Sequence, residues 1–349
     1  MRHWRKLLLA GGFALLAACQ PAAAQRAAVP SEAWSAYKAK FLDANGRIID
    51  NGNGGISHSE GQGYGLLLAY LANNPADFEQ IWYFTRTELL LRNDGLAVWK
   101  WDPAVTPHVT DTNNASDGDL LIAYALALAG SAWNKSDYVE SAAAIAQALL
   151  SHAIISSGGR TILLPGVDGF NAPERKDGPV INPSYWIYEA LPVMELLAPS
   201  KAWQKLSQDG LSLLHSMQFG PRKLPADWVS LNRQPRPADG FDAEFGYNAI
   251  RIPLYLARAG VSDKALLLRF RTGMTADGNT PATIDLTTGK PKHELPDPGY
   301  QIVNDVVACV TDGTKLPASS RQFAPLFYYP STLQLLGLAF VGEKHPECL

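Results

Sequence analysis

The feature that most constrains this chain is the recurrence of helix-period apolar segments separated by long polar loops. Trp34, Tyr37 and Phe41 fall at i, i+3 and i+7, and the pattern continues through 65–71, 78–91, 120–128, 138–150, 185–197, 203–217, 247–259 and 333–340. Roughly ten to twelve helices of ordinary length fit the chain. Pro192 and Pro253 lie inside two of these segments and are expected to kink or end them, because proline has no N–H to give the helix. The intervening stretches, 44–57, 93–118, 156–182, 219–246 and 274–300, are rich in Gly, Pro, Asn and Asp. Loops of that length in a compact domain are functional or carry short strands. The strand–helix alternation of a parallel sheet is missing. The pattern predicts an all-α toroid of helix pairs, with a cleft built from the inter-helix loops.

Residues 1–24 read as an address rather than as fold. Arg2, Arg5 and Lys6 precede an apolar run, Leu7 to Ala18, that is too short to span a bilayer comfortably. Ala22-Ala23-Ala24 before Gln25 suits ordinary signal cleavage, while Leu16-Ala17-Ala18-Cys19 has the form of a lipoprotein signal in which Cys19 would carry lipid. On either route the expected protein is exported, periplasmic or secreted, or else anchored through Cys19. Residues 25–349 remain as a single domain, and a hydrophobic content of 47% supplies a large core.

Removing the leader deletes three basic and no acidic residues, so 27 basic face 33 acidic side chains. That balance gives no electrostatic reason to hold nucleic acid or an anionic membrane surface. Cys309 and Cys348 are then the remaining thiols, able to pair in an oxidising compartment. No Cys/His spacing suggests a metal, and no His-Glu-x-x-His or Ser/His/Asp order appears.

Three constellations carry candidate chemistry. The first is Ser57-His58-Ser59-Glu60-Gly61-Gln62-Gly63-Tyr64-Gly65, leading into an apolar helix. Ser59 is the expected N-cap, which places Glu60 in the first turn. Favouring the helix dipole would account for Glu60, but not for three glycines that each weaken a helix. The expectation is that they let a flat ligand approach the backbone around the carboxyl group.

The second is Asn113-Asn114-Ala115-Ser116-Asp117-Gly118-Asp119, also opening a helix, with Ser116 as expected N-cap and Asp119 near a capping-box position. Carboxylates drawn from separate loops are what glycosidic cleavage needs, one protonated to serve the leaving oxygen and one ionised to activate water. The third is aromatic. Trp99-Lys100-Trp101 alternates as a strand would, with both indoles expected on one face, and Tyr185-Trp186 and Phe245-Gly246-Tyr247 follow long loops. Aromatic faces in loops suit the apolar C–H faces of sugars.

On these residues the chain resembles glycoside hydrolase family 8, and in particular the endoglucanases encoded with bacterial cellulose synthases. Ser59-Glu60-Gly61-Gln62-Gly63-Tyr64-Gly65 is similar to the family's acid motif. Ala115-Ser116-Asp117-Gly118-Asp119, with Ile122-Ala123, Ala125 and Trp133, is similar to its signature. Asn182-Pro183-Ser184-Tyr185-Trp186 and Tyr247-Asn248-Ala249-Ile250-Arg251-Ile252-Pro253 fall where the family has substrate-contacting segments. The likeness runs from about residue 31 to residue 340.

The resemblance implies an (α/α)6 barrel, an inverting reaction on a β-1,4-glucan chain in an open cleft, and no cofactor. It implies Glu60 as proton donor and Asp117 and Asp119 as the other carboxylates of the site. Tyr185, Tyr247, Asn248 and Arg251 are the implied substrate contacts, beside Trp99 and Trp101, which their loop position turns towards substrate. A monomer working in association with cellulose synthase is the implied setting.

One position departs from the family. Many members carry the general base, an aspartate, where this chain has Asn248. An amide cannot accept the water proton as a carboxylate does, which leaves Asp117, Asp119, Asp242 and Glu244 as candidates. Two functions follow: an endo-β-1,4-glucanase, or a weakly active or inactive glucan-binding factor that assists cellulose export. Xylan, chitosan and mixed-linkage glucan stay open as substrates.

Overall fold

A computed structural model describes residues 27–276 and 280–349. The leader, with Cys19, lies outside the described residues. In chain order the helices are α1 (Ser31–Phe41), α2 (Ser59–Leu71), α3 (Pro75–Phe84), α4 (Ser116–Trp133), α5 (Ser136–His152) and α6 (Leu191–Leu197). They continue with α7 (Lys201–Ser216), α8 (Ile252–Arg258), α9 (Lys264–Gly273), α10 (Pro298–Asp312), α11 (Ala318–Arg321) and α12 (Tyr328–Lys344).

Helix chemistry sorts these into two rings. Every residue of α2 except Glu60 and Tyr70 is buried, and a helix that is apolar all round belongs inside. By contrast α7 buries a single stripe, Trp203, Leu206, Gly210, Leu213 and Leu214, as an outer helix should. The even-numbered helices touch in order: α2 with α4, α4 with α6, α8 with α10, α10 with α12, and α12 with α2 to close the ring. Between α6 and α8 the contact is made by the 3₁₀ turns Pro183–Tyr185 and Ala249–Arg251. The odd-numbered helices pack outside, α3 on α2, α5 on α4 and α6, α7 on α6, and α9 on α8 and α10. The result is the expected (α/α)6 barrel.

Glycine makes the closest part of the ring. A Cβ on Gly63 would sit 2.5 Å from Leu121 Cβ of α4, and one on Gly118 would run into Ser59 and the Glu60 amide of α2. A Cβ on Gly65 would reach Ile48 at 2.5 Å. Gly63 and Gly65 admit neighbouring protein rather than ligand, which corrects the expectation for those two, whereas a Cβ on Gly61 would meet only the cleft residues His58 and Tyr328, at 3.3 Å.

Of the two expected outcomes, Pro192 and Pro253 mark helix ends and kink neither helix. Each lies in the first turn, of α6 and α8 respectively, where the missing N–H costs nothing. The predicted segments 185–197 and 247–259 therefore begin as 3₁₀ turns and become α-helical only at Leu191 and Ile252. The segment 78–91 ends its α-helix at Phe84 and finishes in a π-helical turn, Thr85–Leu89. Helices α9 and α10 lie outside the predicted segments. The start of α10 is set by the Asp297 side chain accepting from Gly299 N, with Pro298 behind it, a cap signal that a search for apolar runs passes over.

The long loops carry short antiparallel strands, among them Ser57–His58 against Lys100–Trp101 and the hairpin Ile154–Ser157 with Arg160–Leu163. Cys309 and Cys348 are disulfide-bonded with Cα atoms 6.0 Å apart, tying α10 to the C-terminal turn. No described helix is long and apolar enough to cross a membrane.

Candidate active site

The N-terminal ends of the inner helices carry the functional side chains. Glu60 opens α2, Asp117 opens α4, Arg251 immediately precedes α8, and Tyr328 begins α12. Peptide dipoles there favour negative charge, so one rim of the barrel suits a cluster of carboxylates. The capping differs from expectation. His58, not Ser59, caps α2, its Nδ1 accepting from Gly61 N at 2.9 Å, with Nε2 3.3 Å from Asp50 Oδ2. At α4 the Ser116 hydroxyl leaves the helix and donates to Leu164 O at 2.6 Å, while Ala115 occupies the cap position without a side-chain bond.

Arg251 joins the two acids. One guanidinium nitrogen donates to Glu60 Oε2 at 2.5 Å and another to Asp117 Oδ2 at 2.6 Å. The side chains of Arg251 and Asp117 are each 1% exposed, whereas Glu60 keeps 18%. Desolvating a guanidinium and two carboxylates together is tolerable only because each charge is paired and hydrogen-bonded.

The pair divides its proton unequally. Burial pushes the Asp117 carboxyl up to about 7, against the pull of Arg251 and with help from the Glu60 charge. Burial also works to raise Glu60, but Arg251, His58 and a hydrogen bond from Asp117 outweigh it and hold Glu60 below the usual carboxylate range. The two carboxyls are thus pushed in opposite directions, Asp117 towards holding a proton and Glu60 towards losing one.

Asp119 stands apart. Its Oδ1 accepts from Ala97 N and its Oδ2 from Asn114 Nδ2, both at 2.8 Å, and it is fully buried. Burial raises it to about 7. Its bonds fix the two strands of loop that carry Trp99 and Asn113 into place.

Glu60 and Arg251 open onto a cleft of about 930 Å³. His58, Asp50, Tyr247, Asn248, Tyr300, Phe327, Tyr328 and Tyr329 line it together with Glu294 and the turn 295–298. Tyr247, Leu326 and Phe327 are 47%, 54% and 48% exposed there, a cluster of exposed apolar surface of the kind that marks a binding groove.

The other aromatic candidates lie elsewhere. Trp99 and Trp101 do not line this cleft. Trp101 packs at a tilt against His108, ring centroids 4.2 Å apart, and under the Arg47 guanidinium, and Trp99 Nε1 donates to Asp111. Their strand does pair with Ser57–His58, directly ahead of Glu60. Tyr185 lies 5.7 Å from the Arg251 guanidinium and edge-on to Trp228, which stacks between Phe170 and Phe241.

The candidate bases separate too. Asp242 and Glu244 both accept from Lys292, at 3.1 and 2.5 Å. Asn248, in the cleft wall, donates through Nδ2 to Asp227 Oδ2 at 3.3 Å. Asp227, Trp228 and the wall residues Phe327 to Tyr329 were not read from the sequence. Pro225-Ala226-Asp227-Trp228 offers only a weak sequence signal for the first two, an acid beside an aromatic in a long loop.

Paired carboxylates over a sugar-sized cleft, on the rim of a ring of helix pairs, define a glycoside hydrolase. The sequence profile of Glycosyl hydrolases family 8 matches residues 6–343, and the chain belongs to that family. A probable endoglucanase of Novacetimonas hansenii is 37% identical over 311 residues, 88% of this chain and 89% of that protein. An endoglucanase of Cellulomonas uda is 38% identical over 262 residues, covering 74% and 72%. Among solved structures, the family 8 endoglucanase Cel10 of Klebsiella pneumoniae superposes with a TM-score of 0.82 at 33% identity, covering 90% of this chain and 100% of its own. The endo-β-1,4-glucanase CMCax of Acetobacter xylinum superposes at 0.81 with 37% identity, covering 89% and 97%.

Proposed function

We propose that this chain is an endo-β-1,4-glucanase that cuts internal bonds of cellulose-type glucan with inversion, Glu60 giving its proton to the leaving oxygen. The observation that carries the reading is the Glu60–Arg251–Asp117 bridge opening onto the cleft. Of the two acids Glu60 alone keeps exposed surface, so it is the one that reaches a glycosidic oxygen. Asp117 stores the proton that Glu60 must spend, and sugar entering the cleft replaces water around Glu60 and draws that proton across. An inverting reaction then needs water opposite the acid and no protein nucleophile.

Tyr247, Tyr300, Phe327 and Tyr329 offer ring faces to pyranose units. Tyr185, Trp99 and Trp101 lie outside this cleft and support its walls, and Asp119 positions the loops rather than touching sugar. The setting that fits is an exported monomer, processed near Gln25 or lipid-anchored through Cys19, working with a cellulose synthase.

Release of reducing ends from carboxymethylcellulose tests the reading, with xylan, chitosan and mixed-linkage glucan as comparison substrates. Turnover that is highest on carboxymethylcellulose and disappears in Glu60→Gln supports it. Binding without turnover would favour the glucan-binding factor.

A further inference from the structure

Accepting the proposed hydrolysis, the water still needs a base, and the four acids considered from the sequence are committed elsewhere. Asp117 faces Arg251, Asp119 has both oxygens bonded inside the loops, and Asp242 and Glu244 share Lys292. Asp227 differs from all of them. It is 6% exposed, and its partners are amides: Gly246 N at 2.8 Å, Ala249 N at 2.9 Å, and Asn248 N and Nδ2 at 3.3 Å each. A Cβ on residue 246 would come within 2.5 Å of Asp227 Oδ2, so Gly246 is what lets the loop wrap the carboxylate.

Backbone N–H donors keep a buried carboxylate ionised, while no cationic side chain among the described residues pairs with Asp227, which leaves it a proton affinity that ion-paired acids lose. Burial raises Asp227 above the ordinary aspartate range, partly offset by those same amides. Asn248 stands between Asp227 and the cleft, donating to the one and lining the other.

We propose that Asp227 receives the proton of the attacking water through the amide of Asn248. The water oxygen bonds to the anomeric carbon as one of its O–H bonds breaks, and that proton goes to Asn248 Oδ1. In the same event the Asn248 Nδ2–H bond breaks and its proton passes to Asp227 Oδ2, leaving residue 248 as the imidic acid. The glycosidic C–O bond breaks with its electron pair on the leaving oxygen, which takes the Glu60 proton. Return of the Asp227 proton to Nδ2 and loss of the Oδ1 proton to solvent restore the amide, and solvent reprotonates the Glu60–Asp117 pair. Asp227 is thus a positioning residue that acts through Asn248, and the Asn248 substitution keeps a base one bond further back.

The test compares wild type, Asp227→Asn, Asn248→Ala and the double variant Asp227→Asn/Asn248→Asp on a soluble cello-oligosaccharide, with and without sodium azide. Asn248→Ala leaves the three backbone bonds to Asp227 intact, so it separates the relay from loop folding. Each single variant is expected to lose about 10²-fold or more in kcat with KM little changed. Azide, which attacks without giving up a proton, is expected to restore turnover in both and to yield the α-configured glycosyl azide. The double variant places a carboxylate directly against the water and is expected to recover at least about ten-fold over Asp227→Asn.

An active wild type whose folded Asp227→Asn variant keeps full turnover would overturn the relay alone. So would a loss that neither azide nor Asn248→Asp relieves, since that is the behaviour of a residue that only holds the loop. An inactive wild type would overturn the proposed function and the relay with it.

Discussion

Glu60 and Asp117, from the first turns of different inner helices, accept from the same guanidinium, with Arg251 nitrogens 2.5 and 2.6 Å from their oxygens. Two carboxylates so joined titrate as a unit. Most of what the site is expected to do depends on where their shared proton lies.

Glu60→Gln removes the transferable proton while keeping shape and one acceptor for Arg251. Turnover on carboxymethylcellulose should fall by about 10²–10⁴-fold, with oligosaccharide affinity retained in calorimetry and the unfolding transition little moved. Unchanged turnover would remove Glu60 from the role of acid.

The pH dependence follows from the same pair. Its proton is held up to about pH 7, the value to which burial pushes Asp117. The acid is competent only while that proton is present, so kcat/KM should fall as pH rises through about 7 on the basic limb. In Asp117→Asn the reservoir is gone and Glu60 alone sets this limb, which should move to lower pH together with a loss of turnover. A pH–rate profile of both proteins checks the shift.

Asp119 should behave differently from Asp117. Asp119→Ala strands the Ala97 N–H and the Asn114 amide in a buried site, a loss of about 1–3 kcal/mol for each unsatisfied group. Urea unfolding should register that cost in full, while the residual activity per folded molecule falls less than in Asp117→Asn.

Gly118→Ala tests the helix contact beneath the acid. The added methyl meets Ser59 and the Glu60 amide, and overpacking of this kind costs about 1–3 kcal/mol. Because the clash bears on the first turn of α2, turnover should fall along with stability. Gly158→Ala, at a hairpin tip with open space around it, should leave turnover unchanged.

How much of this was legible in the sequence depended on what kind of signal each residue left. Every inner helix except α10 announced itself by an apolar run, and Glu60 and Asp117 by glycine-flanked acids at helix starts. The pairing of those acids by Arg251 was not legible, because it joins positions 191 and 134 residues apart that only ring closure brings together. His58 was hidden as a cap because a histidine is an uncommon one, and Ser59 beside it is the ordinary choice. Gly63 and Gly65 of α2 misled for a related reason. Sequence shows that a side chain is missing, but not whether ligand or neighbouring helix fills the space. Asp227 was passed over because a single acid in a long loop gains meaning only from the four amide donors folded around it.

The most direct measurement is the anomeric configuration of the first product. Wild-type protein should be mixed with cellohexaose and followed by proton NMR before mutarotation equilibrates the new reducing end. Glu60 protonating the leaving oxygen while water attacks from the opposite face predicts that the α-anomer forms first, from cleavage at internal bonds. Initial appearance of the β-anomer would require a covalent intermediate and would contradict the assignment, as would the absence of any cleavage.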